Sequence, residues 1–273
     1  MASYWGYMKG SVGISGAAAQ TAGAATALAG AAATACGNNY GVDLTTTLEG
    51  SNNAYALGCV AFDSRPMPGA DTLTVRRASF LPTTVGAATS GPLRICSTRL
   101  SAALVKVANV AATCPAAPAG AVNDLIVHSY YVDRDSSTTR GLPTLYRKSL
   151  NATPTFVDEE ILPGVEDLQV QFGIDPTGTT GIATQYINPL AAGALPATAQ
   201  IVAVRIWLLL RSESREQGFV DNRVYQYADR STAAGTVNSL TSGGSAGRAY
   251  APNDNYRRLL VSRTVMIRNA LGT

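Results

Sequence analysis

A serine among glycines, Gly243-Gly244-Ser245-Ala246-Gly247, fits the G-x-S-x-G pattern of a nucleophile elbow. That chemistry needs a strained strand-to-helix turn under the serine and a histidine base beside it. Here the serine lies in a low-complexity stretch, residues 231–247 (STAAGTVNSLTSGGSAG), which reads as a flexible loop. The chain's single histidine, His128, precedes the serine, the reverse of the Ser, acid, His order of that fold. With no acid placed beside it by any motif, His128 reads as a structural side chain within a strand.

Other reactive residue types are equally unsupported by their spacing. Asp158, Glu159 and Glu160, followed by Glu166 and Asp167, supply carboxylates suited to acid/base work or calcium. No D-x-D-x-D-G pattern accompanies them, so they read as a solvated turn ahead of a strand. Asp175-Pro176-Thr177-Gly178 reads as a turn with one acidic ligand at most. The four cysteines, Cys36, Cys59, Cys96 and Cys114, contain no C-x-x-C pair, and one histidine leaves little nitrogen for mixed zinc coordination. An even count suits two disulfides; neighbours are favoured among three connectivities, Cys36 with Cys59 and Cys96 with Cys114, four buried thiols being the alternative. Disulfides would place the protein outside the cytosol.

Nucleotide and nucleic-acid binding find no better footing. No glycine-rich phosphate loop follows a strand and opens a helix. The net charge is only +3, and Arg76-Arg77 and Arg257-Arg258 lie in strand patterns where neighbours face opposite ways, so neither pair forms a patch. Tyr146 by Arg147, Tyr225 by Arg223 and Tyr256 by Arg257 read as packing on strand surfaces. The sequence therefore predicts no catalytic residue, no cofactor, no metal and no small-molecule substrate.

The elements that would carry these side chains are strands. Charged residues make up 14% of the 273-residue chain and hydrophobic ones 46%, against a typical charged content of ~25%, so the chain folds. Residues 1–64 carry only Lys9, Asp43, Glu49 and Asp63, whereas arginine is frequent from Arg65 onward. The front contains an Ala-rich stretch, residues 17–35, which reads as a loosely ordered insertion. Two-residue periodicity or β-branched runs predict strands over residues 71–80, 93–96, 122–132, 142–150, 165–174, 200–211 and 256–269. In the third, Leu125, Val127, Ser129 and Tyr131 share a face; residues 165–174 have one wet face. Residues 200–211 read as a central strand buried on both sides. Seven to nine strands with long Gly-, Pro-, Ala- and Thr-rich connections make a mainly β, antiparallel fold. No run reaches the ~18–20 apolar residues of a membrane span.

Several blocks together resemble the PilW family of type IV pilus minor pilins. They are Tyr4-Trp5-Gly6, residues 162–175 with Gly164-Val165-Glu166-Asp167, the run 202–211 ending in Arg211, Tyr256-Arg257-Arg258, and residues 263–269 ending in Arg268-Asn269. The likeness covers the last 120 residues, extends back to residues 142–147, and leaves out the Ala-rich front. It implies a pilin- or pseudopilin-like globular domain over residues 1–273, with 1–64 as its front and 65–273 as its β-rich body. It also implies a leader and an apolar helix ahead of Tyr4, through which alone the protein would meet the membrane. The implied role is a non-enzymatic subunit that primes the pilus at or near its tip. It would sit in the inner membrane of a Gram-negative bacterium, facing the periplasm, before entering the extracellular pilus. Its implied partners are other minor pilins, the major pilin and a large tip adhesin. A J-type pseudopilin of type II secretion and a surface adhesin module are the rival readings. Tyr7 stands where relatives often have cysteine, and Pro176-Thr177-Gly178-Thr179-Thr180 where they have a more acidic loop, so neither disulfide pairing nor a calcium site carries over.

Overall fold

A computed structural model describes Cys36 and residues 40–41, 46–81, 93–97, 102–105, 121–151, 155–190, 195–196, 198–241 and 243–267. Residues 17–35, Tyr4, Trp5, Gly6, Cys114, Arg268 and Asn269 lie outside the described residues. Thirteen strands and no helix occur among those described: β1 (Leu48–Ser51), β2 (Thr72–Ala78), β3 (Arg94–Ser97), β4 (Ala102–Val105), β5 (Ala121–Asp133), β6 (Thr144–Leu150), β7 (Phe156–Pro163), β8 (Val165–Asp175), β9 (Gln185–Ile187), β10 (Gln200–Arg211), β11 (Ser231–Val237), β12 (Arg248–Tyr250) and β13 (Arg258–Met266). The fold is mainly β, as the periodicity predicts. The seven stretches read from sequence, six long and one short, correspond to β2, β3, β5, β6, β8, β10 and β13. The count exceeds the expected seven to nine largely because strands of three or four residues, such as β1, β4 and β9, are too short to show a period.

Seven strands form one sheet with the long β5 as its hub, antiparallel to β2, β3 and β6; β1 flanks β2, β4 flanks β3 and β7 flanks β6. A second, antiparallel sheet runs β13-β10-β8-β9, and β11 pairs with β12 in parallel. One face of β5 buries Leu125, Val127, Ser129 and Tyr131, as their alternation requires. Over this face lies the front segment. Its Tyr40 hydroxyl meets Thr74 Oγ1 at 2.6 Å, and Phe62 stacks on Tyr146 at 4.6 Å. The Cys36–Cys59 disulfide ties that segment together, as the sequence favours; Cys96 lies on β3.

Between the sheets, Leu168, Val170, Phe172 and Ile174 of β8 pack with Leu73, Val132, Leu145 and Val204, and Tyr225, Tyr227, Leu240 and Tyr250 extend this core.

Four expectations are corrected. β8 has no wet face, because Asp167 and Gln169 are as buried as Leu168 and Val170. β10 is central in its sheet, but Arg205, Ile206, Trp207 and Leu208 are only half-buried, so it is not enclosed on both sides. Asp158, Glu159 and Glu160 sit in β7, not in a turn, each facing a partner: Lys148, Arg147 and the Ser136–Ser137 turn. Residues 231–247 are not simply a flexible loop, since residues 231–237 form β11 against β12. Ala, Gly and Thr hide that strand in sequence because their side chains carry little apolar signal.

Candidate interaction surface

The β7–β8 turn assembles an ionic corner. Gly164 makes the turn with φ +82°, a conformation that glycine adopts without a Cβ penalty. Its N–H donates to Pro143 O at 2.8 Å, its carbonyl accepts from Arg211 N at 2.7 Å, and a Cβ there would stand 2.7 Å from Arg211 O. Val165 follows, fully buried. Glu166 then takes two hydrogen bonds from Arg258, at 2.6 and 3.0 Å, with Arg211 at 3.6 Å. Arg258 also donates to both oxygens of Asp254, at 2.6 and 2.8 Å, and to the Tyr250 hydroxyl at 3.0 Å. The Arg211 guanidinium lies 4.2 Å from the Tyr256 ring centre, and Arg257, facing the opposite way from Arg258, pairs with Glu216 at the surface. Thus the motif residues Gly164, Val165, Glu166, Asp167, Arg211, Tyr256, Arg257 and Arg258 gather at one corner.

One step along β8, Asp167 meets Arg230 and the Tyr227 hydroxyl, at 2.9 and 2.6 Å. Neither Asp167 nor Arg230 has side-chain surface open to solvent. Arg230 also donates to the carbonyls of Gly69 and Ser245, and Gln169 donates to that of Gly69 at 2.8 Å. Burial pushes the Glu166 carboxyl up against the pull of Arg258. Burial disfavours the Arg258 cation, but Asp254 and Glu166 outweigh it and hold the guanidinium's pKa above its ordinary value. Burial and Asp167 raise Tyr227 far above a free phenol. Each charge is met by an opposite one and by hydrogen bonds, the condition for keeping ions inside a protein. With no side-chain surface exposed, Asp167 and Arg230 join β8 to the segment ahead of β11 and to the loops at Gly69 and Ser245.

The remaining reactive types are dispersed. Ser245 is fully buried, and its hydroxyl donates to Pro68 O at 2.9 Å. His128 stands on β5 beside Tyr130, its ring near Arg147, Arg77 and Glu159, and no contact joins it to Ser245. The carboxylate of Asp175 folds its own turn, accepting from Thr177, Thr180 and Gly181; burial acts upward on it, but these hydrogen bonds outweigh that and lower its pKa. Burial pushes Asp71 up to about 8, while the N–H groups of Asn53 and Val170 pull against it. Among the described residues no group of three His, Cys, Asp or Glu side chains could hold a metal, and no helix is long and apolar enough to cross a membrane. Of the three Arg–Tyr neighbours only Tyr225 carries its own, Arg223; Tyr146 stacks on Phe62 and Tyr131 while Arg147 pairs with Glu159, and Tyr256 takes Arg211 and Arg215 rather than Arg257.

What the surface does offer is apolar. Where the two sheets diverge, Val75 and Tyr130 from one and Ile206, Leu208 and Val265 from the other line an open trough of about 360 Å³. Beside it runs β13, with Leu259, Val261, Val265 and Met266 between 43% and 63% exposed. Sequence reasoning missed both. The available signal was the imperfect alternation of residues 259–266, where apolar side chains fall on both faces of one strand.

The family model described as type IV pilus-assembly protein W matches residues 129–269, just over half of the chain, and the chain belongs to that family. It thereby takes part in type IV pilus assembly. The matched span runs from the second half of β5 through β13 and holds the whole ionic corner. No curated protein and no solved structure matches the chain.

Proposed function

We propose that this chain is a non-catalytic minor pilin. In this reading it forms one globular domain in the periplasm of a Gram-negative bacterium, joins other minor pilins to prime the filament, and stays at or near the tip, in contact with major pilin and a tip adhesin. The motif residues at the ionic corner serve as a scaffold that fixes β8, β10 and β13 relative to one another.

One observation carries the reading: within the matched span the pairs Asp167–Arg230 and Glu166–Arg258 are enclosed in the fold, while Leu259, Val261, Val265 and Met266 of the outer strand are exposed. Such a surface packs against neighbours without desolvating many charges, which is where unpaired ions make interfaces costly. Deleting the gene in its own bacterium tests it. Surface pili seen by electron microscopy should fall to a small fraction and return when the gene is restored. Full piliation of the deletion strain would contradict the proposal.

A further inference from the structure

Among the described residues β13 ends its sheet and pairs with β10 alone, in unbroken register from Ala203↔Met266 to Arg211↔Arg258. The backbone shows which residues face outward. At one end the carbonyl of Arg257 accepts from Ser212, and at the other the N–H of Ile267 donates to Val202 O at 2.9 Å. Successive residues of a strand point their N–H and C=O to opposite edges, so the odd-numbered residues from 257 to 267 all turn toward β10. Leu260, Ser262, Thr264 and Met266 therefore direct their N–H and C=O away from the sheet, and no backbone hydrogen bond meets them among the described residues. Proteins usually blunt such an edge with proline, a bulge or several charges. β13 has no proline and no bulge, and its one exposed charge, Arg263, has no ion pair among the described residues.

We infer that β13 is a strand-addition site for an extended segment of another pilus subunit, one that alternates apolar side chains and carries a carboxylate opposite Arg263. The inference rests on the pilus-subunit reading above and names the contact it uses. Hydrogen bonds from four outward residues would give affinity, and side chains on the two faces would give selectivity. On the trough side the incoming strand meets Leu259, Val261, Arg263 and Val265, three apolar residues around one cation. Charge decides against a second copy of this chain, whose β13 brings another Arg263 and no carboxylate.

The test uses a fluorescently labelled peptide, VTVTETVTV, and its variant VTVTKTVTV, with binding to the full chain read by anisotropy. The Glu peptide should bind at least tenfold more tightly than the Lys peptide, and Arg263→Glu should reverse that order. Ser262→Pro removes only an outward N–H, a position where an edge strand tolerates proline; it should weaken binding of the Glu peptide at least tenfold. Should that variant misfold, the charge reversal stands alone as the test. Absent binding, equal binding of both peptides, or self-association of the chain through β13 in sedimentation would overturn the inference. Piliation separates the two levels. Loss of pili on deletion, fully restored by both Arg263→Glu and Ser262→Pro, sinks only the edge site, whereas undiminished pili on deletion sink the reading beneath it.

Discussion

Asp167 and Arg230 stand 63 residues apart in the chain and form an ion pair with no side-chain exposure, one nitrogen 2.9 Å from Oδ1 and Nε bonded to Oδ2. The pair joins β8 to the segment ahead of β11, and through the carbonyls of Gly69 and Ser245 it also anchors two loops. Replacing the pair with apolar residues of similar volume can be neutral, but removing one partner leaves the other charge buried alone. Arg230→Met should therefore lower stability by about 3–5 kcal/mol, read as a shift in the urea midpoint. Asp167→Asn added to it should recover part of the loss. An unchanged midpoint for Arg230→Met would show that the pair is not closed to water.

Gly164 carries the turn into β8 with positive φ and no room for a side chain, Arg211 O lying 2.7 Å from where a Cβ would be. Both oxygen and turn are backbone and cannot swing aside, so Gly164→Ala should cost about 1–3 kcal/mol. Gly141, also at positive φ, has open space around it, so Gly141→Ala meets backbone strain alone and should cost less. Equal unfolding midpoints for the two variants would refute the close approach.

The disulfide between Cys36 and Cys59 spans 23 positions. Chain-entropy arguments give about 3 kcal/mol for a loop of this size. Cys36→Ser with Cys59→Ser should lower the thermal midpoint and make residues 46–63 more open to limited proteolysis, with the β8–β10–β13 sheet retained. Identical digestion patterns would contradict the clamp.

Burial lowers the pKa of His128 to about 4, with Arg147 and Arg77 acting the same way and Glu159 against them. Between about 4 and its ordinary value of 6.5, the unfolded chain then binds a proton that the folded chain does not. Stability from this group is complete above the upper value and is lost as pH falls toward the lower one. As the chain's one histidine, it gives a single imidazole signal by NMR, whose titration midpoint should lie near 4. A midpoint at or above the ordinary value would overturn the assignment, and His128→Gln should flatten the pH dependence of the unfolding midpoint over the same window.

Much of this architecture is legible in the amino-acid order wherever the signal is local. Alternation alone places Leu125, Val127, Ser129 and Tyr131 on one buried face and separates Arg76, buried against Glu49, from half-buried Arg77. β8 misleads for a physical reason. Asp167 and Gln169 look like the wet side of a strand, because the groups that satisfy them, Arg230 and Gly69 O, lie 63 and 100 positions away. Pairing at that distance leaves no periodic trace. β10 errs the opposite way, since its apolar run reads as enclosed while Ile206 and Leu208 line an open trough. The resemblance singles out Glu166, Asp167, Arg211 and Arg258 in separate blocks, and only the fold shows that they share one corner.

If the chain acts as proposed, the outer apolar strand, rather than any reactive side chain, carries its part in pilus assembly. The most direct test of this counts surface pili in a deletion strain restored with variants whose unfolding midpoints match the native chain. Ser245→Ala and His128→Gln should restore normal piliation, and Val261→Asp with Val265→Asp should leave the cells bald. Bald cells with the serine or histidine variant and normal pili with the β13 variant would contradict the account.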